Sequence, residues 1–251
     1  MSGHSKWATI KRQKAVTDSK RGAAYAKLSR EIIVAAKQGG DPTANFRLRQ
    51  AIDRAKAEGM PKDNIQRAIE KGSGTGSQDN YEELVYEGYG PGGVALLVKC
   101  TTDNRNRTAG DVRLFFSKNG GNMGESGCVN WMFKEQGEIY ISKGAKFDEE
   151  ALLGVVLDAG ADDLDASDEN QALVVCPVEK LEGVRAALQA SGYKVDSAAP
   201  TMAPSNTVEI TDRDTARVLL KLIDTLENSD DVESVYANFE MDQEWLTEFL
   251  S

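Results

Sequence analysis

Gly72-Ser-Gly-Thr-Gly-Ser-Gln-Asp-Asn80 is the stretch on which the reading of the fold turns. It holds no apolar side chain and is rich in glycine and serine, the composition of a flexible polar linker. The net charge changes sign across it. Residues 1–71 carry 16 Lys+Arg against 7 Asp+Glu, a balance of +9, and residues 72–251 carry 14 against 33, a balance of −19. A reversal of this size within one chain is the footprint of a dedicated polyanion-binding segment attached to bodies that repel the same polyanion.

Upstream of the linker the apolar period is helical. From about Asp18, Tyr25, Leu28, Ile32 and Ala35 line one face, and Gly39-Gly40 ends the helix. Asp41 followed by Pro42 supplies an N-cap and a proline at N1 for a second helix, which turns Leu48, Ala51, Ile52 and Ala55 inward and stops at Gly59. Pro61 opens a third helix, with Ile65, Ala68 and Ile69, closing at Gly72. Three short helices with tight connections predict a small bundle.

Downstream the pattern is α/β. Tyr81–Glu87 and Val94–Thr101 read as strands joined by a glycine-rich hairpin loop, and a helix follows from about Asn104 to Lys118. Strand-like Val129–Phe133 and Glu138–Ser142, helices near 148–159 and 178–191, and strands near 172–177 and 194–198 suggest a β-α-β-β-α-β run. Pro200 and Pro204 bracket a second linker. The tail from Thr207 is β-α-β and too short to build its own core, so it is expected to complete the sheet begun at residue 80. The expected fold class is therefore α+β and multidomain: an N-terminal three-helix domain and two α/β, ferredoxin-like domains, one of them discontinuous. The expected boundaries are 1–79, 80–132 plus 205–251, and an inserted acidic domain at 133–204.

Several functional classes lose support from composition. Cys100, Cys128 and Cys176 are odd in number and far apart, which fits buried thiols in a reducing compartment rather than a disulfide framework or a metal site. No apolar run approaches the ~20 residues of a membrane span, and no apolar segment follows the basic N-terminus as in a secretory signal. A cytoplasmic location with no membrane partner is expected. Gly72-Ser-Gly-Thr-Gly-Ser and Gly88-Tyr-Gly-Pro-Gly-Gly lack the strand-before, helix-after context of a dinucleotide loop and any following Lys-Ser or Lys-Thr. The acid-dense stretch from Asp158 lacks the ligand register of a calcium loop and reads as solvated acids. His4 is the only histidine, so Ser-His or Cys-His chemistry is not provided for. The expectation is a non-enzyme without cofactor or metal.

The candidate interface starts with the N-terminus. Lys6, Lys11, Arg12, Lys14, Lys20 and Arg21 fall within 21 residues that contain one acid, Asp18. Each such cation can release a counterion condensed on a phosphate backbone. Trp7 sits among them, and two roles fit it: stacking on an unpaired base or ribose, or stapling this arm to the bundle. Lys27, Arg47 and Arg54 extend the positive surface onto the helices. Arg105 and Arg107, in the first turns of the helix after Thr102, oppose its dipole. Two accounts fit them also, salt bridges to the acidic neighbouring domain or contact with RNA or a protein partner.

Gly3-His-Ser-Lys-Trp, Tyr86-Glu-Gly-Tyr-Gly-Pro-Gly-Gly, Asp103-Asn-Arg-Asn-Arg-Thr and Ser117-Lys-Asn-Gly-Gly-Asn-Met-Gly, in that order, resemble the YebC family nearly from end to end. Cys128 and Asn130 depart slightly from the smaller residues expected there. The resemblance implies a helical domain followed by two α/β domains, one discontinuous. It also implies a role in gene expression. Bacterial members are called probable transcriptional regulators and are tied to promoter DNA; mitochondrial relatives are called translational activators of cytochrome c oxidase. Other members are tied to ribosomes and to translation through consecutive prolines. The leading expectation is a DNA-binding regulator of transcription. The alternative is a ribosome-associated translation factor whose arm contacts ribosomal RNA. The acidic domains are expected to meet a protein partner or to limit non-specific adhesion.

Overall fold

Leu48, Ala51, Ile52 and Ala55 recur at helical spacing and are all buried. They sit at the centre of a bundle that, in the computed structural model, opens a description covering residues 18–74, 81–144 and 147–249. Helices α1 (Asp18–Ala36), α2 (Phe46–Ala57) and α3 (Lys62–Ser73) enclose one apolar cluster, with Leu28, Ile32 and Ala35 from α1 and Ile65 and Ala68 from α3. A Cβ on Gly72 would lie 2.3 Å from the Ile33 carbonyl oxygen, so this glycine permits the close crossing of α3 on α1.

The second helix starts later than its Asp-Pro signal predicts. Asn45 is the N-cap and accepts from the Leu48 N–H at 3.0 Å. Its Nδ2 also donates to the Ala35 and Gly39 carbonyls, both at 2.8 Å. One amide thus satisfies the end of α1 and the start of α2. Asp41 instead folds a local turn on Thr43, accepting from its N–H and hydroxyl at 2.9 and 2.8 Å.

Beyond residue 81 the elements are β1 (Glu82–Tyr89), β2 (Ala95–Thr102), α4 (Arg105–Lys118), β3 (Asn122–Met123), β4 (Phe133–Ser142), α5 (Glu149–Asp158), β5 (Asp163–Asp165), β6 (Gln171–Cys176), α6 (Leu181–Ala190), β7 (Val195–Pro204), β8 (Val208–Ile210), α7 (Arg213–Glu227), β9 (Val232–Ala237), β10 (Phe239–Met241) and α8 (Gln243–Phe249). The chain divides into two compact units. One is Trp131–Asn206; the other holds the bundle, the segment up to Asn130 and everything from Thr207.

In the larger unit the sheet order is β3-β1-β2-β9, with β9 from the tail antiparallel to β2. β1 and β2 form an antiparallel hairpin closing at Tyr89↔Ala95, so the glycine-rich run ends β1 with Gly88 and Tyr89 and continues as the connection Gly90–Val94. Leu96, Val98 and Cys100 point to one face, where Val112 and Phe116 of α4 and Leu219, Leu222, Ile223 and Leu226 of α7 cover them. By alternation, Glu83, Glu87, Lys99 and Thr101 belong to the other face. Glu87 is buried there and binds back the loop before residue 131. Its carboxylate accepts from the N–H groups of Gly127, Val129 and Asn130 at 2.7, 2.8 and 2.8 Å.

The smaller unit runs β4-α5-β5-β6-α6-β7 with sheet order β5-β6-β4-β7, a ferredoxin-like layer in which α5 and α6 pack Leu152, Val156, Leu181, Val184 and Leu188 onto Ile139, Ile141 and Val174. Three local expectations change. Residues 129–132 are not a strand: the Glu87 carboxylate takes up the N–H groups of Val129 and Asn130, and Asn130–Met132 form a short 3-10 turn. The second strand of the run is β5, inside the acid-dense stretch read as solvated. Pro200 and Pro204 lie within β7 rather than in a linker: Gly137 pairs with Pro200 and Phe133 with Pro204. β7 is the last strand of the sheet, where a residue without an N–H costs no ladder bond on the solvent side.

Candidate nucleic-acid interface

Helical spacing puts Lys27, Arg30, Arg47 and Arg54 on one side of the bundle. On α1, Lys27, Arg30 and Glu31 follow each other at i, i+3 and i+4, beside the stripe that buries Leu28 and Ile32; on α2, Arg47 and Arg54 are two turns apart, flanking the buried stripe. This side is met by acidic groups of the same unit. Arg47 makes a two-point contact with Glu83 of β1, Nη1 donating to Oε2 at 3.0 Å and Nη2 donating to Oε1. Arg54 Nη1 donates to both oxygens of Glu31 at 3.1 Å. Lys27 Nζ donates to the carbonyl of Glu227, the last residue of α7, where unsatisfied carbonyls and the helix dipole favour a cation. Arg30 donates to the Asp230 carbonyl and stands 3.9 Å from Asp231.

The electrostatics follow the geometry. Burial pushes the Glu31 carboxyl up, with Arg54 pulling it back down and Glu233 pushing it up again. Arg54 is held above its ordinary range chiefly by Glu31, against its own desolvation, with Glu233 adding to the effect. Asp231 has the opposite balance. Burial alone would raise it, but hydrogen bonds from Arg107, Thr108 and Thr102 bring it below the usual carboxylate range. Arg107 Nη2 reaches Asp231 at 2.8 Å and Asp103 at 2.8 Å, and the Thr108 hydroxyl reaches Asp231 at 2.8 Å. Arg107 is thus salt-bridged, but to carboxylates of its own unit and not to the acidic neighbouring domain that the sequence suggested. Asn104 caps α4 by accepting from the Arg107 N–H.

The residues assigned to phosphate contact thus separate into three groups. Lys27, Arg47 and Arg54 are brought together on one face and engaged by carboxylates and carbonyls. Lys20 and Arg21 lie in the first turn of α1. Lys6, Trp7, Lys11, Arg12 and Lys14 lie outside the described residues. Sequence reasoning missed Glu31, Glu83, Glu227, Asp231 and Glu233 as partners of this face. Apart from Glu31, they stand far from it along the chain, and only the folding of β1, α7 and β9 brings them near. Two other helix cations have local partners: Arg49 lies over the Phe46 ring at 5.5 Å, and Lys56 is 3.4 Å from Asp53. In the acid-dense stretch, Asp165 and Asp168 accept from N–H groups of their own turns, Ser167 for the first and Asn170 and Gln171 for the second. Among the described residues, no helix is long and apolar enough to cross a membrane.

The described residues thus form a cation-bearing three-helix bundle and an α/β body, with a second α/β unit inserted in the sequence of that body. The chain belongs to the TACO1/YebC family: the model of the family's N-terminal domain matches residues 5–75, and that of its second and third domain matches residues 81–239. Relatives in Desulfitobacterium hafniense and Trichormus variabilis are each 54% identical, over 96% and 97% of this chain and the same shares of their own length; each is named "Probable transcriptional regulatory protein". A crystal structure of a conserved hypothetical protein from Aquifex aeolicus, 44% identical, superposes with a TM-score of 0.82 over 92% of this chain and 94% of that one.

Proposed function

We propose that this chain is a non-enzymatic, nucleic-acid-binding regulator of gene expression, acting on DNA as a regulator of transcription. Its basic N-terminal arm holds the phosphate backbone through Lys6, Lys11, Arg12, Lys14, Lys20 and Arg21, with Trp7 stacking among them. The observation that carries this reading is the partition of charge, +9 over residues 1–71 and −19 over the rest. The names of the relatives support the regulatory part. Arg47 and Arg54 are ion-paired and Lys27 donates to a carbonyl, so this reading places the primary phosphate contacts on the arm. Three cysteines outside any disulfide, two of them buried, suit a reducing cytoplasm.

The test is fluorescence anisotropy with a labelled DNA duplex and a labelled RNA hairpin over a series of salt concentrations. Six phosphate contacts on a duplex give a log–log salt slope of about −5, at ~0.9 per contact. Replacing Lys11, Arg12 and Lys14 together by Glu removes three of them, so the slope falls to about −3 or less and affinity drops by orders of magnitude. Wild-type binding that ignores salt, or a triple variant that binds as tightly as wild type, refutes the assignment. Tight binding to the hairpin alone, with co-sedimentation on ribosomes that survives DNase, moves the target from DNA to ribosomal RNA.

A further inference from the structure

The cations that α1 and α2 turn to one side are met by a row of oxygens spread over three elements: the Glu83 carboxylate on β1, the Glu227 carbonyl at the end of α7, and the Asp230 carbonyl and Asp231 carboxylate before β9. Glu233, at the start of β9, is close enough to raise both Glu31 and Arg54. In charge and in donor–acceptor type this row resembles what a nucleic-acid strand offers the same side chains, oxygens in series with negative charge behind them. The bundle closes its own apolar core and the sheet closes another. Exposed or half-exposed ion pairs of the Arg47–Glu83 kind are individually weak, about 0–1 kcal/mol, and are weakened further by salt.

We propose that the acidic rim formed by Glu83, Glu227, Asp230, Asp231 and Glu233 is a built-in mimic of a phosphate backbone, which covers the basic face of the bundle and competes with nucleic acid for it. On binding, Lys27, Arg30 and Arg47 exchange the rim's oxygens for phosphate oxygens, while Arg54 keeps Glu31, its partner within the bundle. The rim thereby raises the threshold for non-specific adhesion: a ligand must hold the arm and also displace the rim to gain the second set of contacts. This inference rests on the reading that the N-terminal domain grips nucleic acid.

The experiment compares full-length wild type with a rim variant, Glu83→Gln with Glu233→Gln, and a control of equal charge change in the other unit, Glu149→Gln with Glu150→Gln. Each is titrated with the labelled duplex and hairpin over the salt series, after thermal unfolding has shown all three to be folded. A freed cation that joins the interface adds ~0.9 to the slope and about five-fold to affinity near 0.15 M salt. The rim variant is expected to bind about five- to thirty-fold more tightly than wild type with a slope steeper by one to two, and the control to stay within about two-fold. Equal affinities for the rim variant and the control overturn the proposal while leaving the arm's role intact. Should wild type, rim variant and control all fail to bind either probe, the nucleic-acid reading fails, and the proposal with it. A second measurement uses hydrogen exchange on wild type. Saturating duplex should increase exchange at residues 82–84 and 228–233, from which the bundle departs. Unchanged or lower exchange there with the arm engaged also overturns it.

Discussion

Replacing Glu87 by Gln removes one charge and one acceptor from a buried position while keeping the shape. The carboxylate presents Oε1 to the Gly127 N–H at 2.7 Å and Oε2 to those of Val129 and Asn130, both at 2.8 Å. A hydrogen bond to a charged acceptor contributes about 1.5–3 kcal/mol, and a neutral one about 1. Glutamine has one acceptor oxygen. Turned towards Val129 and Asn130, it keeps two bonds in weaker form and sets its NH2 against the Gly127 N–H, leaving a donor facing a donor. The expected loss is about 3 kcal/mol, roughly 100-fold in the unfolding equilibrium. The dependence on pH supplies a second check. Burial pushes the Glu87 carboxyl up, but the three N–H groups bring it below the usual glutamate range. A depressed carboxyl contributes stability that is complete above its unfolded value and is lost as pH falls through the folded one. The gap between wild type and Glu87→Gln should therefore be full at neutral pH and shrink in acid. Urea unfolding over a pH series measures the gap, and hydrogen exchange locates it, with the amides of Gly127, Val129 and Asn130 losing protection in the variant. Equal stability at neutral pH, or a gap that grows in acid, would refute the assignment of these bonds.

Asp231→Asn leaves Arg107 with Asp103 as its one carboxylate partner, beside the Thr102 hydroxyl, and gives Thr108 a weaker acceptor, so thermal or urea unfolding should show a loss of about 2 kcal/mol, limited because Arg107 is half exposed. The sign on pH matches that of Glu87, with the contribution present above the carboxylate range and lost as pH falls through the depressed value of Asp231. Gly72→Ala drives a methyl into the Ile33 carbonyl and Ala36 and should cost the bundle about 1–3 kcal/mol, whereas Gly154→Ala on α5, where an added Cβ meets nothing within 4 Å, should stabilise by about 0.5–1 kcal/mol; circular dichroism melts separate the two. The Cys100 thiol is pushed up to about 12 and Cys176 to about 11, chiefly by burial. Alkylation at neutral pH, read by mass spectrometry, should spare both until the protein unfolds.

Residues 72–80 and the two apolar periods on either side of them made the helical bundle, the α/β remainder and the partition of charge legible without coordinates, because each depends on neighbours within a few positions along the chain. Leu28, Ile32, Leu48, Ala51 and Ile65 point inward for the same local reason. The places where local reading failed are those where a distant partner competed. Asn45 displaced Asp41 as a cap because it could also bind the end of α1. Val129 and Asn130 left their expected strand because Glu87 lay waiting across the sheet. Pro200 and Pro204 entered a strand because that strand is an edge.

The candidate interface divides along the same line. That positive charge is concentrated at the N-terminus is a property of composition, and the sequence alone determines it. Whether a given cation is available is a property of distance. Lys27, Arg47 and Arg54 look alike in sequence to Lys11, Arg12 and Lys14, and only the tertiary structure shows that Glu227, Glu83 and Glu31 hold them. The reason is physical: helix periodicity fixes which way a side chain points, whereas Coulomb energy and hydrogen bonding depend on what the rest of the fold brings within a few ångströms of its end.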